Sequence, residues 1–144
     1  MVINGGEAAA TSDETAIEAL VDAFFSAFTT GPETAARLDG LRRIMLPGAT
    51  VVRTCGLSPE VDDVESFIAP RLTLLTSGEI SEFEEWPEPG RIDVFGDIAH
   101  WWGAYGKRWR AGSETHTGAG MKTMSFVRTD AGWRISSAAW DDER

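Results

Sequence analysis

The stretch Gly96-Asp97-Ile98-Ala99-His100-Trp101-Trp102-Gly103-Ala104-Tyr105-Gly106-Lys107-Arg108-Trp109 has strand character and carries four aromatic side chains. Successive strand side chains point to opposite faces of a sheet. One face therefore holds Ala99, Trp101, Gly103, Tyr105, Lys107 and Trp109; the other holds Ile98, His100, Trp102, Ala104, Gly106 and Arg108. A sheet with one wet face alternates apolar and polar residues. Here large aromatics fall on both faces, so both faces need a cover.

The flanking sequence supplies a sheet. Ile80 to Trp86 reads as a strand and Pro87-Glu88-Pro89-Gly90 as a turn. Arg91 to Phe95 begins a return strand, with Gly96-Asp97 as a bulge inside one strand that continues to Arg110. Ala111 to Thr117 is a polar connection, and Gly118 to Arg128 is a further strand. Thr129-Asp130-Ala131-Gly132 has the composition of a hairpin turn with Gly132 in the left-handed conformation. That register sets Thr129 opposite Trp133, Val127 opposite Ile135, Ser125 opposite Ser137 and Thr123 opposite Ala139.

Upstream the period changes. Thr11-Ser12-Asp13-Glu14 has capping-box character, and Ile17, Leu20, Val21, Phe24, Phe25 and Phe28 make one helical stripe that Gly31-Pro32 ends. A second helix is expected from Pro32 to Met45, closed by Pro47-Gly48, and a short strand over Ala49 to Cys55. Arg53 on that strand is expected to reach solvent, because arginine is rarely buried unpaired. Ser58-Pro59-Glu60 opens a third helix carrying Val64, Phe67, Ile68, Leu72 and Leu75, with Pro70 as a kink and Gly78 as its end.

Helices first, then a meander of long strands, indicates an α+β fold with an antiparallel sheet covered on one face by N-terminal helices. One domain is expected over 13–141, preceded by a disordered lead-in over 1–12 and followed by a charged tail over 142–144. No helix remains for the second sheet face. A second copy of the chain, as a symmetric dimer, is the simplest cover.

Composition narrows the partners. A net charge of −10 repels nucleic-acid phosphates and anionic lipid heads, so neither nucleic acid nor membrane is an expected partner. No apolar run approaches the ~20 residues of a bilayer span, and the N-terminus lacks signal-peptide character. The single cysteine, Cys55, excludes an internal disulfide and fits a cytoplasmic location. Two histidines without carboxylates at ligand spacing give no metal site, and no cofactor is expected.

The order α-α-β-α-β-β-β-β, with Gly96-Asp97-Ile98-Ala99 opening the long strand and Gly132-Trp133-Arg134-Ile135 opening the last, resembles the nuclear transport factor 2-like superfamily and within it the SnoaL-like branch. The resemblance covers Asp13 to Asp141. It implies a cone: a curved antiparallel sheet wrapped round the helices, an apolar pocket inside, and dimerisation through the sheet's outer face. It also implies a choice of functions, from isomerases, dehydratases and cyclases to ligand binders and association domains. Residue transfer departs from the enzymes. Phe24, Phe25 and Phe28 stand where isomerase-type members carry a tyrosine, and Ser137, Ala138 and Ala139 stand where others carry histidines.

The expected function is therefore binding of a small apolar molecule in an aromatic-lined pocket. The alternatives are an acid–base enzyme on a polycyclic or terpenoid-like substrate and a non-catalytic association domain. Candidate ligand contacts are Phe24, Phe28, Trp101, Trp102, Met121 and Trp133; the phenylalanines read first as core, and the tryptophans equally as dimer interface. His100 and Tyr105 are the candidate catalytic groups, against a plain reading as satisfied core or interface residues. His116 is expected in solvent, Cys55 inert, and Glu79, Glu82, Glu84 and Glu85 on a solvated edge. Asp141 is a candidate for the pocket rim.

Overall fold

A computed structural model describes residues 4–144, with side chains from Ser12 onward. The chain orders as helix α1 (Asn4–Ser26), helix α2 (Thr34–Ile44), strands β1 (Met45–Arg53) and β2 (Glu60–Asp62), helix α3 (Val64–Thr76), then strands β3 (Ser81–Pro87), β4 (Arg91–Phe95), β5 (Ile98–Ala111), β6 (Glu114–Thr129) and β7 (Gly132–Asp142). The seven strands form one sheet in the order β2-β1-β7-β6-β5-β3, with β4 also on β5. The β1–β7 pair is parallel and every other pair is antiparallel. Three helices on a mixed, mostly antiparallel sheet give the expected α+β class.

The helices hold the sheet through aromatic rows. Ile17, Val21, Phe24, Phe25 and Phe28 of α1 are all buried. Phe24 lies 5.2 Å from Phe28 and 6.0 Å from Phe67 of α3, centroid to centroid. Phe25 meets Trp101 and Tyr105 of β5 at 5.9 and 6.2 Å. The parity of β5 separates cleanly. Ala99, Trp101 and Tyr105 are buried beneath the helices, while Ile98 and Trp102 stand exposed on the outer face. The Trp101 indole lies across both Gly90 and Gly103, where any Cβ would overlap the ring.

Several boundaries differ from the sequence expectation, each for a local reason. The expected lead-in falls partly on residues 1–3, outside the described residues. From Asn4 the backbone is already helical, and Asp13 caps nothing: its carboxylate accepts from Arg128 and from the Trp133 indole. Gly96-Asp97 is a tight hairpin and not a bulge, since Phe95 pairs with Ile98 and Gly96 has φ +56°. The break falls instead at 88–90, so β3 and β4 lie end to end along the same edge of β5. Gly112, at φ +64°, closes a two-residue turn, and the stretch expected as a polar connection pairs from Ala111 with Glu114 onward. Pro47-Gly48 lies within β1, and Asp63 caps α3 by accepting from the Ser66 N–H, which leaves Glu60 to Asp62 free as β2.

The β6–β7 register is as expected for Ser125 with Ser137 and Thr123 with Ala139. Nearer the turn it is shifted: Arg128 pairs with Trp133 and Phe126 with Ile135, because the irregularity sits beside Ser125 and not at Gly132.

Removing the central ring of the core leaves a void the packed helices cannot close. Phe24→Ala is expected to cost about 3–5 kcal/mol, seen as a lower urea midpoint at unchanged m-value.

Candidate functional site

Between α3, β1 and the inner sheet face lies a cavity of about 370 Å³. Phe28, Phe67, Leu75 and Tyr105 form its buried wall, with Phe83 and Trp140 partly buried beside them. Glu60, Pro70 and Leu74 are exposed and mark its mouth. Arg53, Arg71, Lys107, Lys122 and Glu85 also line it. The wall is thus aromatic, but the cavity as a whole is amphipathic.

Two buried polar arrangements occupy the inner sheet face. Lys122 of β6 is 2% exposed, and its Nζ lies 3.2 Å from Glu85 of β3, reaching across β5. It also sits 4.3–5.0 Å from the ring centroids of Phe24, Phe25, Tyr105 and Trp140. Burial pulls the Lys122 pKa below the ordinary lysine range, and Glu85 pulls against it. The ring faces also favour the charged form.

The second arrangement joins three strands. Tyr105, Gly120 and Asp142 are cross-strand neighbours on β5, β6 and β7. Gly120 offers no side chain, so the Tyr105 hydroxyl passes over it and donates to Asp142. Lys107 extends over Gly118 and donates to the other Asp142 oxygen at 3.0 Å. Burial raises the Tyr105 pKa and the Asp142 carboxylate raises it further, so Tyr105 is a donor that stays protonated at neutral pH. Burial works to raise the Asp142 carboxyl as well, but the bonds from Tyr105 and Lys107 prevail and hold it below the usual range. Burial raises the neighbouring Cys55 thiol.

The candidate residues fall in different places. Tyr105 and Phe28 line the cavity, and Phe24 lies in the core behind it. His100 is on the outer face, hydrogen-bonded to Thr123, away from the cavity. Trp102 and Met121 are exposed on that same outer face. Trp101 lines a separate cleft of about 380 Å³ with Glu18, Asp22 and Glu88. Trp133 is buried beside Asp13 and Arg128.

Several polar groups in the cavity or bonded to its wall escaped the sequence reading, Arg71 and Lys107 among them. Glu85 was expected on a solvated edge, yet it shares the inward parity of Phe83. Arg53 was expected in solvent, yet the parallel pairing of β1 with β7 sets it beside Trp140. Asp142 closes β7, where a charged tail was expected, while Asp141 pairs with Arg144. Lys122 carried one available signal: it shares parity with Met124 and Phe126, the buried set of β6.

No protein-family model matches the sequence, and no curated protein matches it. Solved structures match its fold. The Kfla4162 protein from Kribbella flavida aligns at a TM-score of 0.77 and 17% identity, over 94% of this chain and 93% of its own. A nuclear transport factor 2-like protein with a cystatin-like fold from Novosphingobium aromaticivorans aligns at 0.72 and 17%, over 99% and 91%. A nuclear transport factor 2-like superfamily protein from Salmonella enterica serovar Typhimurium aligns at 0.75 and 11%, over 94% of each chain. The chain has the nuclear transport factor 2-like fold, and at these identities the likeness is one of fold.

Glu85→Gln strands a buried ammonium without its counter-charge. The expected cost is about 3–5 kcal/mol in denaturant unfolding, with most of it recovered in the Glu85→Gln/Lys122→Met pair. A lysine whose folded pKa is lowered binds fewer protons folded than unfolded. The single variant therefore regains stability relative to the parent as pH rises toward the ordinary lysine range.

Proposed function

We propose that the protein binds a small molecule in the cavity between α3, β1 and the inner sheet face. The carrying observation is the coincidence of an open space of about 370 Å³ with an aromatic wall and convergent polar groups. Ligand sites of about 300–1,000 Å³ are built this way. An association domain that filled its cone with its own side chains would leave no such space. The acid–base alternative has less support: His100 lies outside the cavity and the Tyr105 proton is already committed to Asp142.

The test uses N-phenyl-1-naphthylamine, a neutral apolar fluorophore. Its emission is expected to rise on mixing with the protein, and Leu74→Trp, which narrows the mouth, is expected to weaken binding by about tenfold or more. Binding that is indifferent to Leu74→Trp would place the probe elsewhere and sink the reading.

We also propose that the outer sheet face meets a second copy of the chain. Phe95 is 81% exposed there opposite Ile98, and Trp102, Met121 and Trp86 follow farther along the same face. A contiguous apolar face of this kind marks an interaction surface, and a self-complementary patch closes as a two-fold dimer. Sedimentation equilibrium is expected to give twice the 15.7 kDa chain mass, and Trp102→Glu to give the monomer. A monomeric parent protein refutes the proposal.

A further inference from the structure

Nine of the thirteen basic side chains pair with a carboxylate. Among the described residues Arg37, Arg53, Arg71 and Arg134 do not, although the chain carries 23 acidic residues. Two of these four, Arg53 and Arg71, line the same cavity. The lysines that share it are already engaged, Lys107 by Asp142 and Lys122 by Glu85.

Arg71 is held in place by contacts that include no ion pair among the described residues. Its guanidinium carbon lies 3.9 Å from the Phe67 ring centroid and 5.6 Å from that of Trp140. One N–H donates to the Phe67 carbonyl at 3.0 Å. A guanidinium has five such donors in a rigid planar fork. Burial pulls the Arg71 pKa down; Asp62 and Glu60 act against this from a distance, and the positive charge of Arg53 adds to it. Two like charges are thus kept close in a partly desolvated space, where an unpaired charge is costly.

We propose that Arg53 and Arg71 anchor the carboxylate of a small organic acid whose apolar body lies against Phe28, Phe67 and Trp140. The inference rests on the cavity being a ligand site and names the class of ligand. A carboxylate matches the guanidinium fork in two parallel charge-assisted bonds. It also supplies a counter-charge in direct contact: Asp62, Glu60 and Glu85 act on Arg71 only from beyond ion-pair distance, and no described residue forms an ion pair with either arginine, whereas a neutral ligand would cover both cations and leave them so. The Phe67 ring and the bond to the Phe67 carbonyl hold the Arg71 guanidinium before binding, so less ordering is needed.

The test is isothermal titration calorimetry on the full chain with benzoate, cinnamate and 2-naphthoate, each beside its neutral alcohol. At least one acid is expected to bind about tenfold or more tightly than its alcohol, a difference of about 1.4 kcal/mol. Arg71→Met is expected to abolish that preference while changing the alcohol's affinity by less than about twofold, and Arg53→Met to reduce it. Thermal melting checks that both variants are folded. Equal binding of acid and alcohol, or a preference that survives in the Arg53→Met/Arg71→Met pair, overturns the anion anchor and leaves the cavity reading standing. No binding by any acid overturns the anchor; if N-phenyl-1-naphthylamine also fails to bind, the cavity reading falls with it.

Discussion

The buried ammonium of Lys122 is the constraint around which the inner face is arranged. A charge that is 2% exposed must find a counter-ion within the fold, and among the described residues the one it pairs with is Glu85, two strands away. For the two to meet, β3 must pair on the far edge of β5, and its alternation must turn Glu85 inward with Phe83. Phe24 and Phe25 of α1 then close over the pair, so the same four-ring enclosure joins helix to sheet. Such a pair is weak as a source of stability but strict about register, because losing either partner leaves the other stranded.

That strictness explains why the cavity is amphipathic. The helices cover the sheet fully where Trp101, Met124 and Phe126 lie, and less fully toward Trp140 and Arg53. At the less covered end the inner face carries Tyr105, Lys107 and Asp142, joined over two glycines. Tyr105 and Lys107 are both donors whose acceptor is already fixed. They shape the wall and hold its polarity, while Arg53 and Arg71 line it without an ion pair among the described residues.

The period-two pattern of β5 was legible because burial alternates from Ile98 to Tyr105, before Gly106 is covered on the outer face by Trp86; only the choice of inner face was not, since both faces carry tryptophan. The class of fold followed from helices preceding strands. The turns were harder. Pro87 to Gly90 has turn composition, yet those residues merely interrupt an edge strand, while Gly96-Asp97 makes the true reversal because Phe95 and Ile98 both belong outside. The charged site was nearly invisible. Glu85 sits within a run of glutamates, and Arg53 and Asp142 sit at strand ends. Only Lys122 had a local sign, its parity with Met124 and Phe126; its partner Glu85, 37 residues away, had none.

The glycine beneath Tyr105 has a meaning for how such a chain can drift. At position 120 even a methyl group would collide with the tyrosine hydroxyl and with the main chain of β7, so the position is free to vary only in company. A descendant that gains alanine there must also surrender the tyrosine or let β7 shift, and either change releases Asp142 and Lys107 from each other. Three strands are thus tied into one inherited unit by the absence of a side chain. In distant relatives these positions are expected to be kept or lost together, even where the rest of the cavity wall has been rewritten.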